Sequence, residues 1–205
     1  MNNVVRILSG MLAIAVLVLP SAAHAQNSQP AAADPYQPIT PSQRVVWAVN
    51  GVVAPPNLGV GVLSAGWLTA LNQPEEWGRS WSGFGKRYLE READVGIANT
   101  IEAGLGSLWG EDPRYRRSGK DGIWSRIGHA AARTVTAPGR DGRMRPAWAR
   151  FAAKTLNTQI ENTWLPPSAR TGGAVAVRIA DGFLGRFGGN LWGEFWPDVR
   201  DAVFR

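Results

Sequence analysis

The sequence predicts an all-α protein, a compact bundle of about five to six Gly- and Ala-rich helices that follows a cleaved signal peptide. Three observations lead there. Apolar residues recur at three- and four-residue steps in several segments, the spacing of a helix face. Prolines and glycines punctuate the chain between those segments. The strict two-residue alternation that an outer-membrane β-barrel needs over about ten residues per strand is missing.

The first element is an address. Arg6 gives a positive start, Ile7 to Pro20 is an unbroken apolar run, and Ala23-His24-Ala25 supplies a small-x-small cleavage pattern. Residues 1–25 therefore read as a secretory signal peptide, too short to span a bilayer comfortably. The mature chain is expected to work outside the cytoplasm, in the periplasm or at the outer membrane. Residues 26–40 are polar and rich in Pro and Ala, and read as a disordered leader. Residues 41–205 read as a single helical domain, large enough to bury a core.

Within that domain, Pro41-Ser42 looks like a helix start, and the prolines of 52–56 look like a break. Asn57 to Leu71 has no charged residue, but its 15 residues fall short of a transmembrane helix. Ser82 to Trp109 is the longest helical candidate. One of its faces carries Tyr88, Glu92, Val95, Gly96, Asn99, Glu102, Ala103 and Gly106. Gly110 to Gly122 reads as a basic loop, and Ile123 to Thr136 as a short helix with Ile127, Ala130 and Ala131 inward. Ala137 to Pro146 reads as a second basic loop. The next helix sets Trp148, Phe151, Ala152, Thr155, Leu156, Gln159, Ile160 and Thr163 on one face. Arg150, Lys154, Asn157 and Glu161 are expected to face outward. Ser168 to Trp196 could start as a strand, since Val175, Val177 and Ile179 alternate, but helix is preferred. There Gly182, Gly185, Gly189 and Gly193 would line a small-residue groove. Pro197 should close that helix and leave a short tail.

Composition limits the chemistry. The chain has 205 residues, a net charge of +6 and no cysteine. Disulfides, thiol catalysis and iron–sulfur clusters are therefore excluded. Once the signal is removed, His129 is the one remaining histidine, so a conventional zinc site is not expected, and no metal or cofactor is. Ten tryptophans, each with an apolar body and a polar N–H, suit packed and lipid–water interfaces alike. For an exported chain, the basic balance points to anionic lipid or an envelope polymer rather than nucleic acid.

Three constellations could carry function. Glu92, Asn99 and Glu102 share a helix face. Carboxylates held in such a groove can act as general acid or base, or can simply pair with Arg126, Arg133 or Arg178. His129 is a second candidate base, although no nucleophile elbow of the Gly-x-Ser-x-Gly type accompanies it. The basic loops are the third: Arg114, Tyr115, Arg116, Arg117 and Lys120, then Arg140, Arg143 and Arg145. Arginine forks match phosphate geometry, so converging loops would suit lipid headgroups. Neither a Walker nor a Rossmann phosphate loop is present.

Two strings stand apart: Glu111-Asp112-Pro113-Arg114-Tyr115 and Glu194-Phe195-Trp196-Pro197-Asp198. Together with Ser125-Arg126-Ile127-Gly128 and Gly83-Phe84-Gly85-Lys86-Arg87-Tyr88, they resemble a family of exported bacterial proteins of unassigned activity. The resemblance runs from about residue 41 to the end. It implies a helix-rich exported domain and brings no catalytic or binding residues.

The expectation is thus an envelope-associated helical protein that is structural or interacts with a lipid surface, with a second copy of itself or another envelope protein as a candidate partner. Two alternatives are an enzyme on an envelope lipid or glycan, and a periplasmic module that binds an anionic ligand.

Overall fold

The computed structural model describes residues 36–203. The signal peptide and the leader up to residue 35 lie outside the described residues. Helix α1 (Pro41–Val53) opens with a reciprocal cap: Thr40 Oγ1 accepts from the Gln43 N–H, and the Gln43 side chain accepts from the Thr40 N–H. Only Ala54, in an extended conformation, separates α1 from α2 (Pro55–Leu71). The proline pair therefore interrupts the helix for one residue, because proline fits a first helical turn, where no N–H is needed. Pro41–Leu71 forms a 31-residue apolar rod, long and apolar enough to cross a bilayer. Only 6% of its most apolar stretch is buried.

After a 3-10 turn at Glu75–Trp77 comes α3 (Trp81–Trp109), capped at its start by Ser80. It ends at Gly110, whose φ of 80° is a left-handed cap that glycine adopts without strain. Helix α4 (Ile123–Val135) leads into a two-stranded antiparallel hairpin, β1 (Thr136–Pro138) and β2 (Met144–Pro146), with Ala137 opposite Arg145. The second basic loop is thus the turn of a hairpin. Helix α5 (Trp148–Glu161), a second 3-10 turn at Pro167–Arg170 and α6 (Gly172–Val203) complete the described chain.

Helix α3 is the axis. The α1–α2 rod runs antiparallel along one side of it and α5 along the other, while α6 packs against α5 and α4. Each element's contacts fix its direction. Arg44 of α1 lies beside Gly106 of α3, and Ala149 of α5 bonds Glu111 just beyond α3.

Several details depart from the sequence reading. Helix α6 passes through Pro197 to Val203 instead of leaving a tail. Arg126 explains this by clamping both sides of the proline: it donates to the Glu194 carboxylate and carbonyl and pairs with Asp198. Ala131 is exposed, because α4 turns Ala130 and Thr134 toward Asn190 of α6. Tyr36–Thr40, assigned to the leader, is docked, with Ile39 buried and Tyr36 bonded to Asp112. Of the α6 glycines, Gly182 meets Lys154 and Gly193 meets Tyr115, whereas Gly185 and Gly189 meet nothing.

The largest correction concerns α5, which is turned about its axis relative to expectation. Arg150, Lys154, Asn157 and Glu161 are buried; Trp148, Leu156 and Ile160 are exposed. The charged face is recruited inward by carboxylates on α3 and arginines on α6. This pattern is general. Among the described residues, the buried hydrophobic side chains are six alanines with Ile39 and Leu165. The large, fully buried side chains are Arg87, Glu161, Glu194, Asn157, Thr158 and Asp112. Val45, Val46, Val49 and Val53 of α1, Val62, Leu63 and Trp67 of α2, and Leu89 and Leu108 of α3 lie on the outside.

Candidate functional site: a buried ion-pair network and its basic end

Ion pairs between helices fill the interior. At mid-height, Asp94 accepts from Lys154 Nζ at 2.6 Å and from Asn157 Nδ2 at 2.5 Å. Asn157 also donates to Glu161 Oε1 at 2.6 Å, and Arg178 donates to Glu161 Oε2 at 3.0 Å. Nearer the end of α3, Glu102 Oε1 receives Arg150 Nε at 3.0 Å and Arg186 Nη2 at 2.8 Å. Arg150 also donates to the Arg133 and Thr134 carbonyls. Removing one member of such a set strands a buried charge, so each pair locks two helices in register.

The two strings singled out from the sequence meet in space. Tyr115 donates its hydroxyl to Glu194 Oε2 at 2.5 Å. The Ser118 N–H and hydroxyl reach the same carboxylate at 3.0 and 2.6 Å, and Arg126 Nε reaches it at 3.1 Å. Arg117 pairs with Asp198 at 2.9 Å, and the Arg126 guanidinium lies over the Phe195 ring. Burial, and then the hydrogen bond to Glu194, pushes the Tyr115 hydroxyl pKa upward, so it serves as a donor throughout the neutral range. Glu111 accepts from the Ala149 N–H, supplying the cap that Ala147 cannot give α5. Burial raises the Glu111 pKa against the pull of the α5 N–H groups. Asp112 binds Arg114 and accepts from Tyr36, whose pKa is pushed up to about 12, chiefly by burial and then by Asp112. At the far end, Arg87 donates to the carbonyls of Gln73, Pro74 and Gly78 and anchors the first 3-10 turn.

The sequence candidates are distributed as follows. Glu92 pairs with Arg91 and lies over Gly61 of α2. Asn99 lies over Gly51 of α1. Glu102 pairs with Arg150 and Arg186, not with the arginines expected from the sequence. His129, on α4, bonds the Arg116 carbonyl and meets the Tyr115 ring edge-on. Glu92, Asn99 and Glu102 thus face different helices and His129 faces the first loop, so among the described residues the four are not gathered at one site. Of the first loop, Arg114, Tyr115 and Arg117 turn inward to carboxylates, and the Arg116 guanidinium sits over the Tyr36 ring. Lys120, Arg140, Arg143 and Arg145 remain exposed, the last two beside Asp141. The loops do converge: the Asp112 N–H donates to the Pro138 carbonyl, and Arg140 packs against Gly110. Among the described residues no group of three or more His, Cys, Asp or Glu could hold a metal.

Asp94, Arg150, Lys154 and Arg186 are members of the network that the sequence reading did not offer as site residues. The four-residue spacing of Arg150 and Lys154 was visible, but only the neighbouring carboxylates reveal which way they face. Compared with protein families, curated proteins and solved structures, the chain has no significant match.

Proposed function

We propose that this is an exported helical protein that works embedded in a lipid bilayer, as a structural or lipid-interacting component of the envelope rather than a catalyst. The single observation that carries this reading is the inside-out surface, charge within and large apolar side chains without. In water such a distribution is costly on both counts, since buried charges lose hydration and exposed apolar area gains nothing. In lipid it is the favourable one. Tails solvate the outer residues, small side chains allow close helix approach, and charged groups face one another.

The tryptophans support the same reading. Trp109 and Trp148 are exposed at one end of the bundle, and Trp164 bonds Glu90 toward the other. Along α3, Glu90 and Trp109 are about 28 Å apart at 1.5 Å per residue, while α5 runs about 20 Å from Trp148 to Glu161, with Trp164 in the turn beyond. The α3 length approaches the roughly 30 Å of bilayer hydrocarbon, and indoles favour its two edges.

Flotation tests the proposal. The mature protein should rise with phospholipid vesicles through a density gradient and stay bound in high salt. Recovery as a monodisperse species in detergent-free buffer, unbound by vesicles, would refute it. A defined soluble oligomer would instead indicate that other copies cover the apolar surface.

A further inference from the structure

A cleft of about 250 Å³ opens at the end of the bundle where α3 finishes. Its walls include Tyr36, Ile39, Arg44, Ser107, Gly110 and Arg140. Two guanidiniums border it, and among the described residues neither forms an ion pair with a carboxylate. Arg44 Nη2 donates to the Glu111 carbonyl at 2.6 Å, and Arg140 Nη2 to the Ser107 carbonyl at 3.3 Å. Arg44 is nine-tenths buried, yet its Nη1 is without any hydrogen-bond acceptor. A buried, unsatisfied donor of this kind costs about 1–3 kcal/mol, and more when charged. The nearest carboxylate, Asp112, is committed to Arg114 and Tyr36. Pro41 also lines the cleft, so the positive end of α1 adds to the same potential.

We infer that this cleft binds a phosphate group, held between Arg44 and Arg140. An anion there would give the two guanidiniums the countercharge that they lack, and arginine forks suit phosphate oxygens. Resting on the bilayer reading, the inference names a phospholipid headgroup as the source of that phosphate. Gly110 of the cleft wall directly follows Trp109 in the chain, at the level expected for headgroups, and Ile39 gives the wall an apolar surface for a chain.

The test uses the mature protein in maltoside micelles, which carry no phosphate. Phosphatidylglycerol is titrated into the micelles, and inorganic phosphate is titrated separately, with bound ligand followed by native mass spectrometry and thermal shift. Phosphatidylglycerol should bind the wild type, and Arg140→Gln should weaken it about tenfold or more, the loss expected for one charge-assisted contact. Ser107→Phe, at an exposed position, should block the cleft without disturbing the core. Circular dichroism matching that of the wild type keeps both variants interpretable. If inorganic phosphate binds as tightly as the lipid, the phosphate site stands and the headgroup assignment falls. If neither ligand binds, or if both variants bind like the wild type, the inference is overturned even where vesicle flotation succeeds. Phosphate binding by a protein that fails to float would retain the site and reject the bilayer reading.

Discussion

Glu194 carries more of the bundle's register than any other single residue of α6. Its carboxylate takes four hydrogen bonds, from Tyr115, Ser118 twice and Arg126, and is 1% exposed. Glu194→Gln keeps the shape but replaces the anion with an amide that must also place two N–H groups. Arg126 keeps Asp198 and the Glu194 carbonyl, but the Tyr115 and Ser118 donors lose their anionic acceptor, which should cost about 1–3 kcal/mol, read as a fall in thermal midpoint in detergent. Glu111 predicts a pH effect of definite sign. Its folded pKa lies above the ordinary 4.5, so its contribution to stability is complete below about 4.5 and is lost as pH rises through the folded value. Glu111→Gln should remove that loss while its side-chain oxygen still caps α5. Denaturation midpoints for the two proteins should therefore converge toward acid pH relative to their offset at pH 7. At this scale the sequence was partly legible. The Asp-Pro-Arg-Tyr and Glu-Phe-Trp-Pro-Asp strings stood out by composition, but that Tyr115 bonds Glu194 is a tertiary fact separated by 79 residues. The sequence reading likewise offered Arg126, Arg133 or Arg178 of a neighbouring helix to the α3 carboxylates, whereas Arg126 belongs to Glu194 and Glu102 pairs with Arg150 and Arg186.

Element boundaries followed from local chemistry. Thr40 with Gln43, Ser80 with Gly83, and Gly110 mark helix ends through caps readable in the sequence. Orientation about the axis was not readable in the same way. The helical spacing on α5 defines an apolar face and a charged face, and periodicity alone is silent on which faces the protein. The usual assumption of water outside gave the opposite answer, and the pairs of Lys154 with Asp94 and Arg150 with Glu102 decide it. This yields a test specific to α5. Leu156 and Ile160 are 50% and 41% exposed. On a wetted helix, Leu156→Arg with Ile160→Arg would change stability by no more than about 0.5 kcal/mol. In a bilayer each arginine costs about 2.5–3.5 kcal/mol near the midplane, so the double variant should fail to float with vesicles.

For the molecule as a whole, stability rests on interlocked charge and small side chains within, and on the surrounding solvent accepting an apolar exterior. The all-α class was legible because three- and four-residue spacing persists through α3, α5 and α6. The two-stranded hairpin escaped notice because each strand is only three residues long. The tryptophans, read in the sequence as suited to packed and lipid–water interfaces alike, are exposed near both ends of α3 and α5. Quenching of their fluorescence by brominated lipids tests the central claim most directly. Bromines placed near the headgroup should quench Trp109, Trp148 and Trp164 strongly, and bromines at the chain ends should quench them less. Emission that no brominated vesicle alters, from protein mixed with those vesicles, would contradict the account.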